Sequence, residues 1–177
     1  MSREVPAGKP IAVLVPGTLW ETKHFHVQGF AEVAGHLKRT GRAVVLAGSE
    51  SERERCREVA ALCPGVIDLS GRTALTDLAA LFRRAQVCVT NDSGSMHLAV
   101  ALGRPVVSIF GPTDPVWIGP YGRPHAVVSA DVPCAPCYLR KLGDCRHGHQ
   151  CMQQVSGAMV IERLERELAF ERKREAG

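Results

Sequence analysis

The stretch from Val87 to Gly111, VCVTNDSGSMHLAVALGRPVVSIFG, decides the fold. Its first apolar run, Val87 to Val89, has strand length and stops at Thr90-Asn91-Asp92-Ser93-Gly94, residue types that favour turns and helix N-caps. Leu98, Ala99 and Leu102 then recur at helical spacing, Gly103-Arg104-Pro105 stops the helix, and Val106 to Phe110 resumes as strand. Strand, polar loop, helix, strand is the repeating unit of a parallel α/β sheet. In such a sheet ligands sit beyond the carboxyl ends of the strands, and the next helix offers free N–H groups and a positive dipole end to an anion. Asp92, Ser93, Gly94 and His97 crowd that end. Ser93 brings a hydroxyl, Gly94 lets a ligand near the backbone, and His97 lies one turn beyond Ser93.

Upstream of this unit the same alternation recurs. Ile11–Val15 is a strand closed by Pro16-Gly17-Thr18, and the following residues to Gln28, with Trp20, Glu21, Lys23, His24 and His26, are expected to form an irregular polar loop. Phe30, Val33, Ala34 and Leu37 mark a helix face that ends at Gly41. Ala43–Ala47 is the second strand, and Gly48-Ser49-Glu50-Ser51 opens a helix striped by Cys56, Val59, Ala60 and Cys63 and ended by Pro64-Gly65. Val66–Leu69 is a short third strand. A helix with Leu75, Leu78, Ala79 and Phe82 inward follows Ser70-Gly71-Arg72-Thr73. Downstream, Gly111-Pro112-Thr113-Asp114-Pro115 is a stiff loop and Ala126–Ser129 a weaker sixth strand. Val155–Phe170 is a helix with Val160, Leu164 and Leu168 on one face and a Glu162–Arg166 i,i+4 pair, with a frayed tail beyond it. The pattern predicts an α/β fold: a Rossmann-like parallel sheet of about six strands, with helices on both faces and right-handed crossovers. Residues 1–10 carry charge, two prolines and a glycine, and are expected to be a linker or cut end ahead of one domain over residues 11–177.

With 177 residues, 45% of them apolar, the chain can bury one good core. Its 22 basic and 18 acidic residues are interleaved, so the excess charge points only weakly to anionic ligands and equally fits a solvated surface. No apolar run approaches the roughly 20 residues of a spanning helix, and MSREVPAGKP lacks the apolar segment of a signal peptide. A soluble cytoplasmic protein is expected. Of the seven cysteines, Cys56, Cys63 and Cys88 sit in apolar settings and are expected to be small buried hydrophobes. The other four lie in an irregular segment, Pro133–Met152, spaced Cys134-x2-Cys137-x7-Cys145-x5-Cys151, with His147 and His149 between the last two. That set suffices for a tetrahedral structural zinc, although only the first pair has the C-x-x-C spacing; a reduced thiol cluster is the other reading. With Arg140, Lys141 and Arg146 its only arginines and lysines, the segment makes no strong basic patch, and no nucleic-acid partner is expected.

Two familiar chemistries are disfavoured. The first strand is followed by Pro16-Gly17-Thr18-Leu19-Trp20-Glu21 rather than G-x-G-x-x-G, and Asn91 stands where the first glycine of G-x-S-x-G would be. Ser93 is therefore read as a phosphate ligand rather than a nucleophile. Thr18 to Lys23, Gly48 to Glu50, Arg72 with Thr73, and Asp92 to His97 all fall at carboxyl ends of successive strands. Their content suits a nucleoside diphosphate: Lys23 is a compact cation for phosphate, the helix opening at Ser93 supplies N–H donors, and Glu50 offers a carboxylate to ribose hydroxyls. Each residue also has a plain alternative: Lys23 as a surface lysine, His97 as a satisfied helix histidine, Asp92 as a simple N-cap.

Three segments resemble the nucleotide-binding half of the lipopolysaccharide heptosyltransferases: Thr90-Asn91-Asp92-Ser93-Gly94-Ser95-Met96-His97-Leu98-Ala99, then Gly111-Pro112-Thr113-Asp114-Pro115, and Pro16-Gly17-Thr18 with Lys23. The resemblance runs from Ile11 to the last helix, and its cysteine segment looks most like the second-heptose branch. It implies an inverting glycosyltransferase built of two Rossmann-like domains, with this chain as the C-terminal, donor-binding half. It further implies ADP-heptose as donor, no metal for transfer, Thr18 and Lys23 on the diphosphate, Glu50 at the ribose, Thr73 near the adenine, and Asp92, Ser93, Gly94 and His97 around the phosphates. The N-terminal domain of such enzymes binds the acceptor, the lipid A core at the inner face of the inner membrane, and carries the acidic group that activates its hydroxyl. In 177 residues there is no room for that domain, so nucleotide binding with poor transfer is expected. A different two-domain nucleotide-sugar transferase or epimerase, a non-catalytic nucleotide-binding domain, and a zinc-bearing interaction module remain as alternatives.

Overall fold

The computed structural model describes residues 5, 6 and 8–176. Six strands, β1 (Ile11–Val15), β2 (Ala43–Leu46), β3 (Ile67–Asp68), β4 (Ala85–Asn91), β5 (Val106–Phe110) and β6 (Val127–Ser129), form one sheet in the order β3-β2-β1-β4-β5-β6. Every pairing is parallel, and at the centre Leu14 stands beside Val89 and Val15 beside Thr90. All five residues of β1 and all five of β5 are buried, because both faces of a parallel sheet are covered.

Alternate side chains feed two cores. Ala12, Leu14, Val87, Val89, Val107 and Ile109 pack under α1 (Val27–Arg39), α2 (Arg53–Leu62) and α7 (Gly157–Ala176). Val13, Val15, Cys88, Val106 and Phe110 pack under α3 (Leu75–Arg84) and α4 (Gly94–Ala101). The expected faces of α1, α2 and α7 are the buried ones, and Cys56, Cys63 and Cys88 are buried free thiols. No helix among the described residues is long and apolar enough to cross a membrane.

Several boundaries differ from the sequence reading, each for a local reason. The Ser70 N–H and hydroxyl both turn back onto Asp68 Oδ1, so β3 is only two residues long. Leu75 opens α3 and is 71% exposed, so the buried stripe shifts to Leu81 and Phe82. In α4 the buried residues are Met96 and Ala99, while Leu98 and Leu102 pack only partly. Asp114 accepts from the Val116 N–H at 2.8 Å with Pro115 at the first helical position, which turns the end of the expected loop into a short helix, α5 (Pro115–Ile118). Within the polar segment after β1, Glu21–Lys23 forms one 3-10 turn. A second short helix, α6 (Gln150–Gln153), closes the cysteine segment. The Ser156 hydroxyl caps α7 by accepting from Met159 N–H, and the helix runs to Ala176 rather than fraying after Phe170, with Glu171 tied to Arg123 and Arg174. Of the predicted lead-in, residues 1–4 and 7 lie outside the described residues, and Val5 is buried in the second core.

Candidate functional site

β1 and β4 are neighbours, yet the chain leaves β1 toward β2 on one side and β4 toward β5 on the other. The strand order reverses between them, which opens a crevice at their carboxyl ends. Asn91, the last residue of β4 and fully buried, closes its floor: Oδ1 accepts from Phe25 N–H at 3.1 Å and Nδ2 donates to Pro16 O at 2.7 Å. The two backbone groups would otherwise need other partners, and the bonds fix the segment after β1 against β4. Thr18 continues the connection, its hydroxyl donating to Asp92 O at 3.1 Å, while His24 Nε2 lies 3.0 Å from Thr18 O.

The 3-10 turn delivers Lys23 to the same place. Its Nζ is 2.7 Å from Asp92 Oδ2, and both side chains are largely buried. The Thr113 hydroxyl donates to the same carboxylate oxygen at 2.7 Å. Lys23 Nζ also lies 4.1 Å from the centre of the Trp20 ring, against which Arg140 stacks at 4.6 Å. Lys23 is thus no surface lysine. Nor is Asp92 the cap of α4, because its carboxylate is committed to Lys23 and Thr113.

Ser93 holds the N-cap position instead, and its hydroxyl, buried, has no hydrogen-bond partner. Gly94 begins α4, and a Cβ placed there would meet nothing within 4 Å. His97 is exposed one turn further on. The fold therefore joins Thr18, Lys23 and Asp92 in one network and sets Ser93, Gly94 and His97 along the opening of α4. Glu50 and Thr73 lie further along the same edge. Glu50 is exposed and paired with Arg53 at 2.7 Å, and its Oε2 lies where a Cβ on Gly71 would fall, so the loops after β2 and β3 touch. A cavity of about 560 Å³ beside the crevice is lined by Thr18, Leu19, His24, Ser49, Glu52 and Arg55 among others. A groove of equal volume between α1, α2 and α7, walled by Ala31, Gly35, Leu62 and Ile161, offers mainly apolar surface and lacks this convergence of polar groups.

Burial, and then the Arg55 charge, lower the His24 pKa below its usual value. The ring is therefore kept neutral in the folded protein, whereas the unfolded chain takes up the proton near pH 6.5. The stability this contributes is present above that pH and is lost as the pH falls through the lower folded value. Acid titration of urea unfolding should show this loss, and His24→Gln should flatten it; an unchanged slope would assign the loss to other groups.

Asn91, Thr113, Arg55 and Trp20 escaped the sequence reading as structural members of the site. Asn91 carried a usable signal, since an amide just beyond the apolar run Val87–Val89 must find partners when buried. Arg55 carried none: it donates to Pro16 O and Phe25 O across a tertiary contact.

The four loop cysteines are all reduced, with Cys151 buried, Cys134 and Cys145 half-buried and Cys137 exposed. Burial and the neighbouring Cys137, Cys134 and Cys145 push the Cys151 thiol up to about 11. As the side chains stand, no three His, Cys, Asp or Glu among the described residues are grouped to hold a metal.

Strand order and crevice define a doubly wound α/β domain with a cluster of polar groups at its switch point. The chain belongs to glycosyltransferase family 9 (heptosyltransferase), which it matches over residues 2–143. It is 40% identical over 131 residues to lipopolysaccharide heptosyltransferase 1 of Pseudomonas aeruginosa, covering 73% of this chain and 37% of that protein. Among solved structures it is similar to Escherichia coli ADP-heptose heptosyltransferase II, with a TM-score of 0.82 and 27% identity over 97% of this chain and 50% of that one. It is also similar to E. coli heptosyltransferase WaaC with ADP, with a TM-score of 0.73 and 27% identity over 94% of this chain and 47% of that one. The chain thus spans half or less of the length of these relatives. The sequence relative is of the first numbered type and the structure with the higher TM-score of the second, so similarity alone does not single out the second-heptose branch.

Proposed function

We propose that this chain is the ADP-heptose-binding domain of an inverting heptosyltransferase that builds the lipopolysaccharide inner core. The observation that carries the reading is the partnerless Ser93 hydroxyl at the N-cap of α4, beside the Lys23–Asp92 pair. A hydroxyl buried without a partner costs free energy unless a ligand supplies one. A pyrophosphate would do so while accepting from the open N–H groups of α4. ADP in the similar WaaC structure supports the same nucleotide here.

In this reading the acceptor hydroxyl attacks the anomeric carbon from the face opposite the nucleotide and inverts it. Negative charge grows on the β-phosphate, where Ser93, α4, Lys23 and His97 stabilise it more than they stabilise the ground state. Glu50 and Thr73, on the adjoining loops, take the ribose and adenine. The lipid A core acceptor and the base that activates it belong to a second domain working at the inner membrane surface, so this chain alone binds donor with little transfer. Robust heptose transfer by the isolated chain would overturn that last step.

Calorimetric titration with ADP, UDP and GDP tests the nucleotide directly. ADP is expected to bind most tightly; no binding, or preference for UDP, would sink the assignment. Gly94 gives a second test. Gly94→Ala meets open space and removes a poor helix former, so unfolding free energy should change by less than about 1 kcal/mol. ADP affinity should nevertheless fall, because the methyl group occupies the approach to the α4 amides. Unaltered affinity would place the phosphates elsewhere.

A further inference from the structure

The donor site leaves the four-cysteine segment without a role. Beyond β6 the chain wanders, yet Cys134, Cys137, Cys145 and Cys151 all line a single cavity of about 220 Å³. Four thiols that line one cavity supply the donor types and number that a tetrahedral thiophilic cation takes. The segment is also tied to itself through one of these sulfurs, Cys145 Sγ accepting from the His149 N–H at 3.4 Å.

We propose that Cys134, Cys137, Cys145 and Cys151 bind one divalent thiophilic cation, zinc by preference, in a closed four-thiolate site. As the side chains stand, no three of the lining groups are placed to hold an ion, so loading requires the four cysteine side chains to rearrange around the cavity they share. With four protein ligands no position is left for substrate, so the ion holds structure rather than performing chemistry. What it holds is the turn that carries Lys23. The Thr22 hydroxyl donates to Leu139 O at 2.5 Å, Leu142 N–H donates to Glu21 Oε2 at 3.0 Å, His149 Nε2 lies 2.6 Å from Thr22 O, and Arg140 stacks on Trp20. Metal binding therefore clasps the cysteine segment onto the mouth of the crevice.

The test is elemental analysis of the full chain, purified without chelator under reducing conditions and again after incubation with zinc. About one equivalent per chain is expected, with zinc and iron distinguished by the same measurement. Cobalt in place of zinc should give an intense sulfur-to-metal charge-transfer band. Cys137→Ser and Cys145→Ser should each abolish stoichiometric binding, whereas Cys63→Ser, outside the segment, should keep it. If the serine variants fold poorly, the wild-type chain still decides: chelator should lower its melting temperature and zinc should restore it. Failure to bind metal in either preparation, no response to chelator, or stoichiometry unaffected by both segment variants overturns the proposal. Nucleotide binding enters none of these readouts, so the donor assignment and the metal site stand or fall separately.

Discussion

Asp92→Ala is expected to lower the unfolding free energy by about 3–5 kcal/mol, the usual cost of leaving a buried charge without its partner. Asp92 and Lys23 side chains are only 5% and 12% exposed, and the carboxylate also takes the Thr113 hydroxyl. Removing it strands an ammonium and a hydroxyl together. The double variant Asp92→Ala with Lys23→Met should recover much of the loss, because replacing both members of a buried pair with apolar groups is often close to neutral. Urea unfolding of the two variants measures both effects. A loss below about 1 kcal/mol in the single variant would show that the pair is solvated as a surface pair is.

Lys23→Ala should weaken ADP binding by roughly 1.5–3 kcal/mol, the contribution of a charge-assisted hydrogen bond. The Asp92 carboxylate already offsets the Lys23 charge, so a phosphate bound here would meet a positioned donor rather than a free cation. An ammonium has three N–H groups, and with one on Asp92 others remain for a phosphate. The loss should therefore be large for ADP and small for adenosine, which separates a phosphate contact from a general disturbance of the crevice. Equal losses for both ligands would make Lys23 a structural residue only. Unaltered ADP affinity would remove it from the site.

These two variants act on a network that the sequence half disclosed. The parallel sheet was legible because its apolar runs and intervening helical stripes are long and regular. The placement of Ser93, Gly94 and His97 along the opening of α4 was legible because turn residues follow a buried strand there. The pairing of Lys23 with Asp92 was not, since the two lie far apart in sequence and each alone fits a commoner role. The α3 stripe was misplaced because a leucine at the first position of a helix satisfies the periodicity while lying beyond the edge of the core.

By itself the sequence determined the order of the six strands and of the five longer helices, and the loops that gather at the carboxyl edge of the sheet. Periodicity and turn chemistry are local, and they survive translation into structure. Only the tertiary structure decided which polar groups neutralise each other: Asn91 spanning Phe25 and Pro16, Thr113 and Lys23 sharing one Asp92 oxygen, and Ser93 left with an unused hydroxyl. A buried polar atom's partner is set by distance across the fold, and its free energy depends on that partner rather than on its neighbours in the chain.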